Sequence, residues 1–293
     1  MSANRVIGVD LGGTKILAGV IDADGGMHDT VERPTVTTSQ DALLTELVEA
    51  VRELPHEGVS AVGFGIPSRI DHERGVAVGS AVNIPLRDVP FQEEMQQRLG
   101  LPVGMENAAT CAAYSEYRFG AGRGTRNFLM LTLGTGVGGG VISNGQVVHS
   151  WTELGHMVIV EGGEPCQGAC TGHGHVEAYC SGRAADKIAR EVLGAGANAH
   201  DLVAQQHPAL TGIGRHLGTA IGSLVNVFGP ERVAIGGGFG VAAGPLLIPA
   251  ARPSVIAEAL APSGEELEIV LASLGAAAGL IGAGLVAFDM LEP

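Results

Sequence analysis

Apolar residues along the chain alternate between short continuous runs and stretches with helical spacing, a pattern typical of an α/β protein. Short apolar runs that end at glycine, proline or acidic residues predict buried strands. Such runs lie at Val6–Val9, Ile16–Ile21, Val59–Ile66, Pro102–Met105, Asn127–Leu133, Gly139–Ile142, Val233–Ile235 and Ile269–Ala272. Helical spacing predicts helices at Ser39–Leu54, Pro90–Leu99, Ala108–Tyr117, Val176–Val192, Leu210–Val227 and Gly275–Met290.

The two halves of the chain share one pattern, in which a strand, a glycine turn carrying threonine and a second strand follow one another. This internal similarity suggests a duplicated domain with a cleft between the copies. We therefore expect an N-terminal α/β domain over 1–110, completed by the last helix within 275–293. A C-terminal α/β domain should cover 111–274, and the length of 293 residues accommodates both.

Composition and charge narrow the class of protein further. Hydrophobic residues make up 45% of the chain and aromatic residues only 4%, so Ala, Val, Leu and Ile must build the core. A formal net charge of −14, without a basic stripe to offset it, argues against nucleic-acid binding. No apolar segment is long enough for a signal peptide or a membrane span, so we expect a cytoplasmic protein without a membrane partner.

A first candidate phosphate loop, Asp10-Leu11-Gly12-Gly13-Thr14-Lys15, joins two predicted strands. Glycines allow backbone amides to converge on an anion, and Thr14 adds a hydroxyl donor. Asp10, at the end of its strand, could hold Mg²⁺, which prefers carboxylate and phosphate oxygens. An ordinary glycine turn in a β-hairpin is the alternative interpretation of this segment alone.

A second glycine-rich loop contains Gly134, Thr135 and Gly136, and with Gly139 it matches the Gly-x-Gly-x-x-Gly pattern of dinucleotide-binding folds. In those folds a helix follows the loop, whereas a strand is predicted here, so we reject a dinucleotide site. Two such loops, one in each half, fit a phosphate clamp between two lobes.

A cluster of histidine and cysteine residues predicts a metal site. His156 precedes Cys166, Cys170 and His175, which have Cys-x₃-Cys-x₄-His spacing and complete four nitrogen and sulfur ligands. Four protein ligands suit a closed, structural Zn²⁺ site without an open position for substrate. Two buried thiols beside unrelated surface histidines are the alternative.

These motifs resemble those of the hexokinase, actin and heat-shock ATPase superfamily, and over essentially its whole length the chain is similar to ROK sugar kinases. Gly8–Lys15 matches the first phosphate motif of that family, and Asn226–Gly238 matches its adenosine-side motif. The resemblance implies a two-lobed actin/hexokinase-like (ribonuclease H-like) ATPase fold with a cleft between the domains, and ATP with Mg²⁺ as the phosphoryl donor. It assigns nucleotide binding to Asp10, Gly12, Gly13, Thr14, Lys15, Gly134, Thr135, Gly136, Gly236, Gly237 and Gly238.

The resemblance also implies the sugar and metal ligands. The family positions that bind sugar hydroxyls correspond to Asn83, Asn107, Glu153, His156 and Glu177. The family's metal cluster has one histidine and three cysteines, and His175 stands where the third cysteine usually lies. His173 is the alternative ligand at that position.

One position departs from the family in a way that bears directly on catalysis. The family carries Glu-Asn-Asp where this chain has Glu106-Asn107-Ala108, and that aspartate takes the proton from the attacking sugar hydroxyl. Three explanations remain open: an engineered alanine variant, which the intact surroundings favour; a natural pseudokinase that binds sugar; or a base from elsewhere in the chain. Losing a positioned general base costs about 10²–10⁴-fold in rate.

The resemblance implies ATP-dependent phosphorylation of a hexose at the 6-hydroxyl, with glucose first and N-acetylhexosamines or mannose behind it. Small-molecule sugar and ATP are then the partners, and a homodimer or homotetramer is the expected assembly. The alternative is a catalytically silent sugar-binding protein. A DNA-binding repressor is disfavoured by the charge and by the seven residues that precede Gly8.

Overall fold

The computed structural model describes residues 5–80, 84–150, 152–168 and 170–291. The strands are β1 (Arg5–Leu11), β2 (Lys15–Asp22), β3 (Met27–Pro34), β4 (Val59–Ile66), β5 (Arg69–Asp71), β6 (Val76–Ser80), β7 (Arg87–Val89), β8 (Val103–Asn107), β9 (Phe128–Leu133), β10 (Val137–Ser143), β11 (Gln146–Val147), β12 (Arg232–Gly236) and β13 (Glu268–Leu271). The helices are α1 (Gln40–Arg52), α2 (Phe91–Leu99), α3 (Ala108–Phe119), α4 (Val176–Cys180), α5 (Gly182–Leu193), α6 (Ala199–Ala204), α7 (Ala209–Phe228), α8 (Gly238–Glu258), α9 (Ser263–Glu266) and α10 (Ala278–Asp289). Short 3₁₀ helices lie at Leu154–His156 and Gly275–Ala277.

Contacts between residues divide the chain into two compact units. The first contains Met1–Phe119, His149–Trp151 and Ala276–Pro293, and the second contains Gly120–Val148 and Thr152–Gly275. The first boundary lies after α3 rather than at residue 110, because α3 packs along α10. The hydroxyl of Ser115 on α3 donates to the Ala278 carbonyl at 2.7 Å.

Each unit contains a five-stranded sheet of the same topology. The strand order is β3-β2-β1-β4-β8 in the first unit and β11-β10-β9-β12-β13 in the second. In both sheets a hairpin of antiparallel strands leads into two further parallel strands. The repeated strand, glycine turn and strand of the sequence are therefore the central hairpins of two α/β units, which confirms the expected fold class.

A row of glycines crosses the first sheet beneath α10. Gly19, Gly8, Gly63 and Gly104 are paired neighbours on four adjacent strands. A Cβ atom at Gly104 would lie 2.9 Å from the Val286 carbonyl oxygen, and a Cβ at Gly8 or Gly63 would collide with helix carbonyls. The row therefore allows the backbone of α10 to lie directly on the sheet.

The other face of this sheet carries a conventional apolar core. Side chains of β1 and β2 that point away from α10 pack against Leu43, Leu44 and Leu47 of α1. The Ser39 hydroxyl accepts a hydrogen bond from the Ala42 amide at 3.1 Å, so Ser39 is the N-cap of α1. A small antiparallel sheet, in the order β5-β6-β7, joins the same core.

In the second unit α7 and α8 pack along each other through glycines on α7. A Cβ at Gly214 or Gly222 would meet side-chain or backbone atoms of α8 within 3 Å. Within the described ranges, α8 alone is long and apolar enough to cross a membrane by length and composition, a property it shares with core helices of soluble proteins. Its packing on α7 gives it the position of a core helix.

Several elements differ from the sequence prediction. The single helix expected at Val176–Val192 is wrong: Ser181 has an extended backbone (φ −80°, ψ 164°) and its hydroxyl caps α5 by accepting from the Ala184 amide. The helix α8, which carries Pro245, Pro249 and Pro253 inside it, was not predicted. The strand β3 was not predicted either, because it is an edge strand that is largely polar and exposed. The short elements β5, β6, β7, β11, α6 and α9 were also missed.

The glycine row predicts a stability difference between two identical substitutions. Gly63→Ala should lower the free energy of unfolding by about 1–3 kcal/mol, because the new methyl group meets backbone atoms of α10 that cannot move independently. Gly212→Ala, on an exposed position of α7 with open space around it, should raise that free energy by about 0.5–1 kcal/mol. Denaturant unfolding of both variants measures the contrast, and equal effects would contradict the close approach of α10.

Candidate active site and metal cluster

The first loop is the hairpin turn between β1 and β2. The Gly12 amide donates to the Lys15 carbonyl at 2.9 Å and closes the turn. Thr35 stabilises the turn through two hydrogen bonds. Its amide donates to the Thr14 carbonyl at 3.1 Å, and its hydroxyl donates to the Gly12 carbonyl at 2.8 Å. Gly13 and Thr14 are exposed, so their amides can approach an anion.

The Lys15 ammonium, which the sequence assigns to nucleotide binding, forms an ion pair with Glu32 of β3. Nζ lies 2.8 Å from Oε2, and both side chains are about half exposed, at 51% and 59%. An ion pair this exposed to water contributes little free energy. The ammonium can therefore exchange Glu32 for another anion at small cost.

Asp10 and Ala108 flank the same glycine at the carboxyl ends of the parallel strands. Asp10 pairs with Gly65 across β1 and β4. A Cβ on Gly65 would lie 3.6 Å from Oδ1 of Asp10 and 3.5 Å from Cα of Ala108. From α10, Gly279 presses against the Asp10 carboxylate so closely that a Cβ there would collide with it. Burial raises the pKa of Asp10 to about 6, although the charge of Lys15 opposes this rise.

Glu106, the carboxylate two residues before Ala108, is engaged by other groups. Its Oε1 accepts a hydrogen bond from the Asn107 amide at 2.7 Å, and its Oε2 lies 2.7 Å from Nδ1 of His149. Ala108 is the first residue of α3, where an acidic side chain is favoured by the free amides and the helix dipole.

The second loop is the hairpin turn between β9 and β10, and hydrogen bonds join it to α4 and α5. The Gly134 amide donates to the Gly136 carbonyl at 2.9 Å, and the Gly182 amide donates to the Gly134 carbonyl at 2.7 Å. Glu177 Oε2 accepts from the Val137 amide at 2.9 Å. Glu177, expected to bind sugar, therefore also fixes the base of this loop.

The glycines that end β12 lie beside the same loop. Gly236 pairs with Thr132 of β9, and Gly237 has a φ of 78°. A Cβ on Gly237 would lie 2.5–2.7 Å from backbone atoms of Leu133, so only glycine fits. Gly238 begins α8, and Thr135 at the tip of the second loop is exposed.

The residues expected to bind sugar are partly engaged in the fold. Asn107 donates from Nδ2 to the Ser68 carbonyl at 3.0 Å, and its Oδ1 accepts from the Ala109 amide at 2.8 Å, in the manner of an N-cap for α3. One N–H of this carboxamide is left for a ligand. Asn83 lies outside the described residues.

Glu153 and His156 stand at the two ends of one 3₁₀ turn. The His156 amide donates to the Glu153 carbonyl at 3.0 Å. Gly155 lies so close to the Val137 carbonyl that a Cβ there would collide with it, which holds the turn against the start of β10. Both side chains are half-buried.

The four residues predicted as metal ligands converge in the second unit. Nδ1 of His156 lies 3.3 Å from Nδ1 of His175 and 3.6 Å from Sγ of Cys166, and Nδ1 of His175 lies 3.6 Å from Sγ of Cys170. All four ligand atoms fall within 4.8 Å of one another. His173 is exposed on the opposite arm of a small hairpin, where it pairs with Pro165.

The spacing fits a tetrahedral zinc ion. With ordinary zinc bond lengths, two nitrogen ligands lie about 3.3 Å apart, and a nitrogen and a sulfur lie about 3.6 Å apart. Burial, followed by the charge of His156, lowers the pKa of His175, which favours the neutral imidazole that a metal ligand requires. Burial raises the pKa of Cys166 to about 11, and a bound cation is what would favour its thiolate.

The chain matches the ROK family over residues 6–289. It is 33% identical to the glucokinase of Streptomyces coelicolor, with 94% of this chain and 95% of that protein covered. A ROK family glucokinase from Streptomyces griseus, solved in complex with glucose and AMPPNP, has a TM-score of 0.84 and 32% identity over 97% of this chain and 99% of its own. A ROK hexokinase from Thermus thermophilus has a TM-score of 0.84 and 32% identity, with 98% and 99% covered.

The buried Asp10 carboxylate should make the stability of the protein depend on pH. Its pKa is raised above the ordinary value of 3.8 to about 6, so its contribution to stability is greatest at low pH and falls as pH rises through this window. Asp10→Asn removes that dependence. Without added Mg²⁺, the free energy of unfolding of the variant should rise relative to that of the wild type by at most about 3 kcal/mol between pH 4 and pH 7. Chemical unfolding at both pH values measures the difference, and a constant difference would exclude a buried carboxylate.

Proposed function

The chain belongs to the ROK family, and on that premise we propose that its site is built for ATP-dependent phosphorylation of the 6-hydroxyl of a hexose, with the chemical step impaired at Ala108. Glucose is the first candidate substrate, and N-acetylhexosamines and mannose are the next. The known relatives with glucokinase activity and the two phosphate loops support the reaction class.

One observation carries this proposal, namely the arrangement of Asp10 and Ala108 on either side of Gly65. In phosphoryl transfer, a carboxylate that holds the metal and a group that orients the attacking hydroxyl must act on the same phosphoryl group. A carboxylate at position 108 would project from the N-terminus of α3 beside Asp10. The site thus retains the carboxylate for the metal and lacks the one for the hydroxyl.

We assign the nucleotide to the backbone amides of the two loops and to the glycines after β12. Thr14 and Thr135 add hydroxyl donors, and Lys15 can leave Glu32 for a phosphate oxygen. Asp10 is the proposed Mg²⁺ ligand. When bound, Mg²⁺ neutralises charge on the phosphate oxygens. Asp10 must be deprotonated for this role, which its raised pKa allows above about pH 6.

We assign the sugar to Asn83, Asn107, Glu153, His156 and Glu177. His156 can serve both the sugar and the metal, because Nδ1 faces the cluster and the other ring nitrogen is available for a hydroxyl. Glu177 can do likewise, since Oε2 holds the Val137 amide and Oε1 remains near Cys166. These double roles support a cluster that positions sugar ligands.

A catalytically silent sugar-binding protein is the second candidate. It is favoured by Ala108 itself and by the commitment of Glu106 to His149 and the Asn107 amide, which leaves that carboxylate unable to act in place of the missing one. The two candidates share sugar binding and differ in whether a carboxylate at position 108 restores turnover.

A carboxylate placed at position 108 distinguishes the hexose kinase from the catalytically silent sugar-binding protein. Ala108→Asp should raise kcat with Mg²⁺·ATP and glucose by about 10²–10⁴-fold, with little change in sugar affinity, because the group acts mainly in the transition state. Ala109→Asp, which places the carboxylate one residue further along α3, is the matched control and should not restore turnover. Coupled assays with glucose, mannose and N-acetylhexosamines also identify the sugar. Turnover that stays absent in Ala108→Asp would favour the silent binder, and full activity of the alanine form would mean that another residue is the base.

We further infer that the cluster of His156, Cys166, Cys170 and His175 holds a structural Zn²⁺. Four protein ligands leave no open position, so this ion would stabilise the loop that carries Glu177 rather than bind substrate. His175→Ala should lower the zinc content by about one ion per chain and lower the melting temperature, whereas His173→Ala should change neither. Elemental analysis and thermal unfolding measure both. Loss of zinc in the His173 variant alone would assign the ligand to that histidine instead.

A further inference from the structure

A second group of potential metal-ligating side chains lies in the first unit, on the side of β8 that leads into α3. It consists of His72, in the turn between β5 and β6, Glu106 on β8, and His149, in the segment after β11. Nε2 of His72 lies 3.3 Å from Glu106 Oε2, and Nδ1 of His149 lies 2.7 Å from the same oxygen. The three ligand atoms fall within 4.8 Å of one another.

Glu106 is an almost fully buried carboxylate whose partners are imidazoles. Its side chain is 3% exposed, while those of His72 and His149 are 33% and 52% exposed. Burial acts to raise the pKa of Glu106, but the hydrogen bonds from His149 and His72 outweigh it and lower the pKa. Among the described residues, lysine and arginine make no ion pair with this carboxylate. A buried negative charge faced by two imidazole nitrogens is a donor set for a cation.

A cavity of about 300 Å³ opens beside the three side chains. Its walls include a second carboxylate, Asp289, and the apolar side chains of Val286 and Met290. The Tyr114 hydroxyl donates to Asp289 Oδ1 at 3.0 Å, which holds that carboxylate in place. An ion at the cluster would therefore have room for water or for a small ligand on its free side.

From this geometry we propose that His72, Glu106 and His149 bind a first-row divalent transition-metal ion, with Zn²⁺ as the leading candidate. Two imidazoles and one carboxylate suit such ions better than Mg²⁺ or Ca²⁺, which prefer sites made of oxygen alone. Three protein ligands leave a coordination position open to the cavity, unlike the four-ligand cluster of the second unit. The site contains no thiolate, which makes the two clusters distinguishable by spectroscopy.

The distance between His149 and Glu106 indicates how an ion would enter. Ligand atoms around a tetrahedral ion lie about 3.3 Å apart, whereas His149 Nδ1 and Glu106 Oε2 are 2.7 Å apart, a hydrogen-bond distance. The ion would replace the hydrogen-bonded proton, and the imidazole of His149 would move outward by about half an ångström. His149 is half exposed and can make that movement, while the buried Glu106 stays in place.

Cobalt titration of the metal-free full-length protein tests this site. Thiolate ligands give Co²⁺ an intense charge-transfer absorption that imidazole and carboxylate ligands do not. The wild type should bind about two Co²⁺ ions per chain, with the charge-transfer band saturating after the first. His72→Ala/His149→Ala should lose the second ion and keep the band, and His149→Gln alone should weaken the second ion by at least about tenfold.

His28→Ala is the matched control, because His28 also pairs with a carboxylate, Asp22 at 2.9 Å, but belongs to no three-ligand group among the described residues. It should retain both ions. A wild type that binds one ion, or a double variant that keeps both, would overturn the proposal. An anomalous difference map of Co²⁺-soaked wild-type crystals decides the case even where a variant does not fold: a peak between the three side chains supports the site, and its absence refutes it.

Discussion

The direct contact between the backbone of α10 and the first sheet sets the geometry of the first unit. Four paired glycines on neighbouring strands leave a row without Cβ atoms, and the helix backbone lies on that row. The same helix carries Gly279 against the Asp10 carboxylate and Gly282 against the backbone of Cys111 on α3. The position of α3, and with it that of Ala108, follows from how closely α10 lies on the strands. Residues far apart in the sequence thus meet at the carboxyl ends of β1 and β4 because the glycine row lets one helix approach the strands closely.

Two buried carboxylates in the first unit have pKa values that their surroundings shift in opposite directions. Asp10 is crowded by backbone, and burial raises its pKa to about 6 with only the charge of Lys15 to oppose it. Glu106 is also buried, but two imidazoles and a backbone amide lower its pKa. Burial disfavours the charged form of the first carboxylate, whereas hydrogen bonds from two imidazoles favour the charged form of the second. Such opposite shifts are typical of functional carboxylates rather than of surface ones.

Most strands, the main helices and the convergence of His156, Cys166, Cys170 and His175 could be predicted because their signals are local. Buried parallel strands give continuous apolar runs, so β4 was predicted at its observed bounds, Val59–Ile66. Cysteine and histidine ligands within one hairpin also reveal their spacing in the sequence. The helix α8 was missed because three prolines share one of its faces, and prolines ordinarily end helices. His72 and His149 carry no motif, and only the fold brings them to Glu106. Whether a proposed sugar ligand is also an N-cap, as Asn107 is, depends on hydrogen bonds that residue type alone does not specify.

The return of α10 to the first unit has a consequence for synthesis on the ribosome. Residues 278–289 are synthesised after every segment of the second unit, yet they cover the glycine row and the apolar face formed by Val6, Ile21 and Ala61. Until they emerge, that face of the first sheet is bare. Domains fold as units once their parts are present. The parts of the second unit are therefore complete before those of the first, and the nascent first sheet exposes an apolar surface of the kind that chaperones bind.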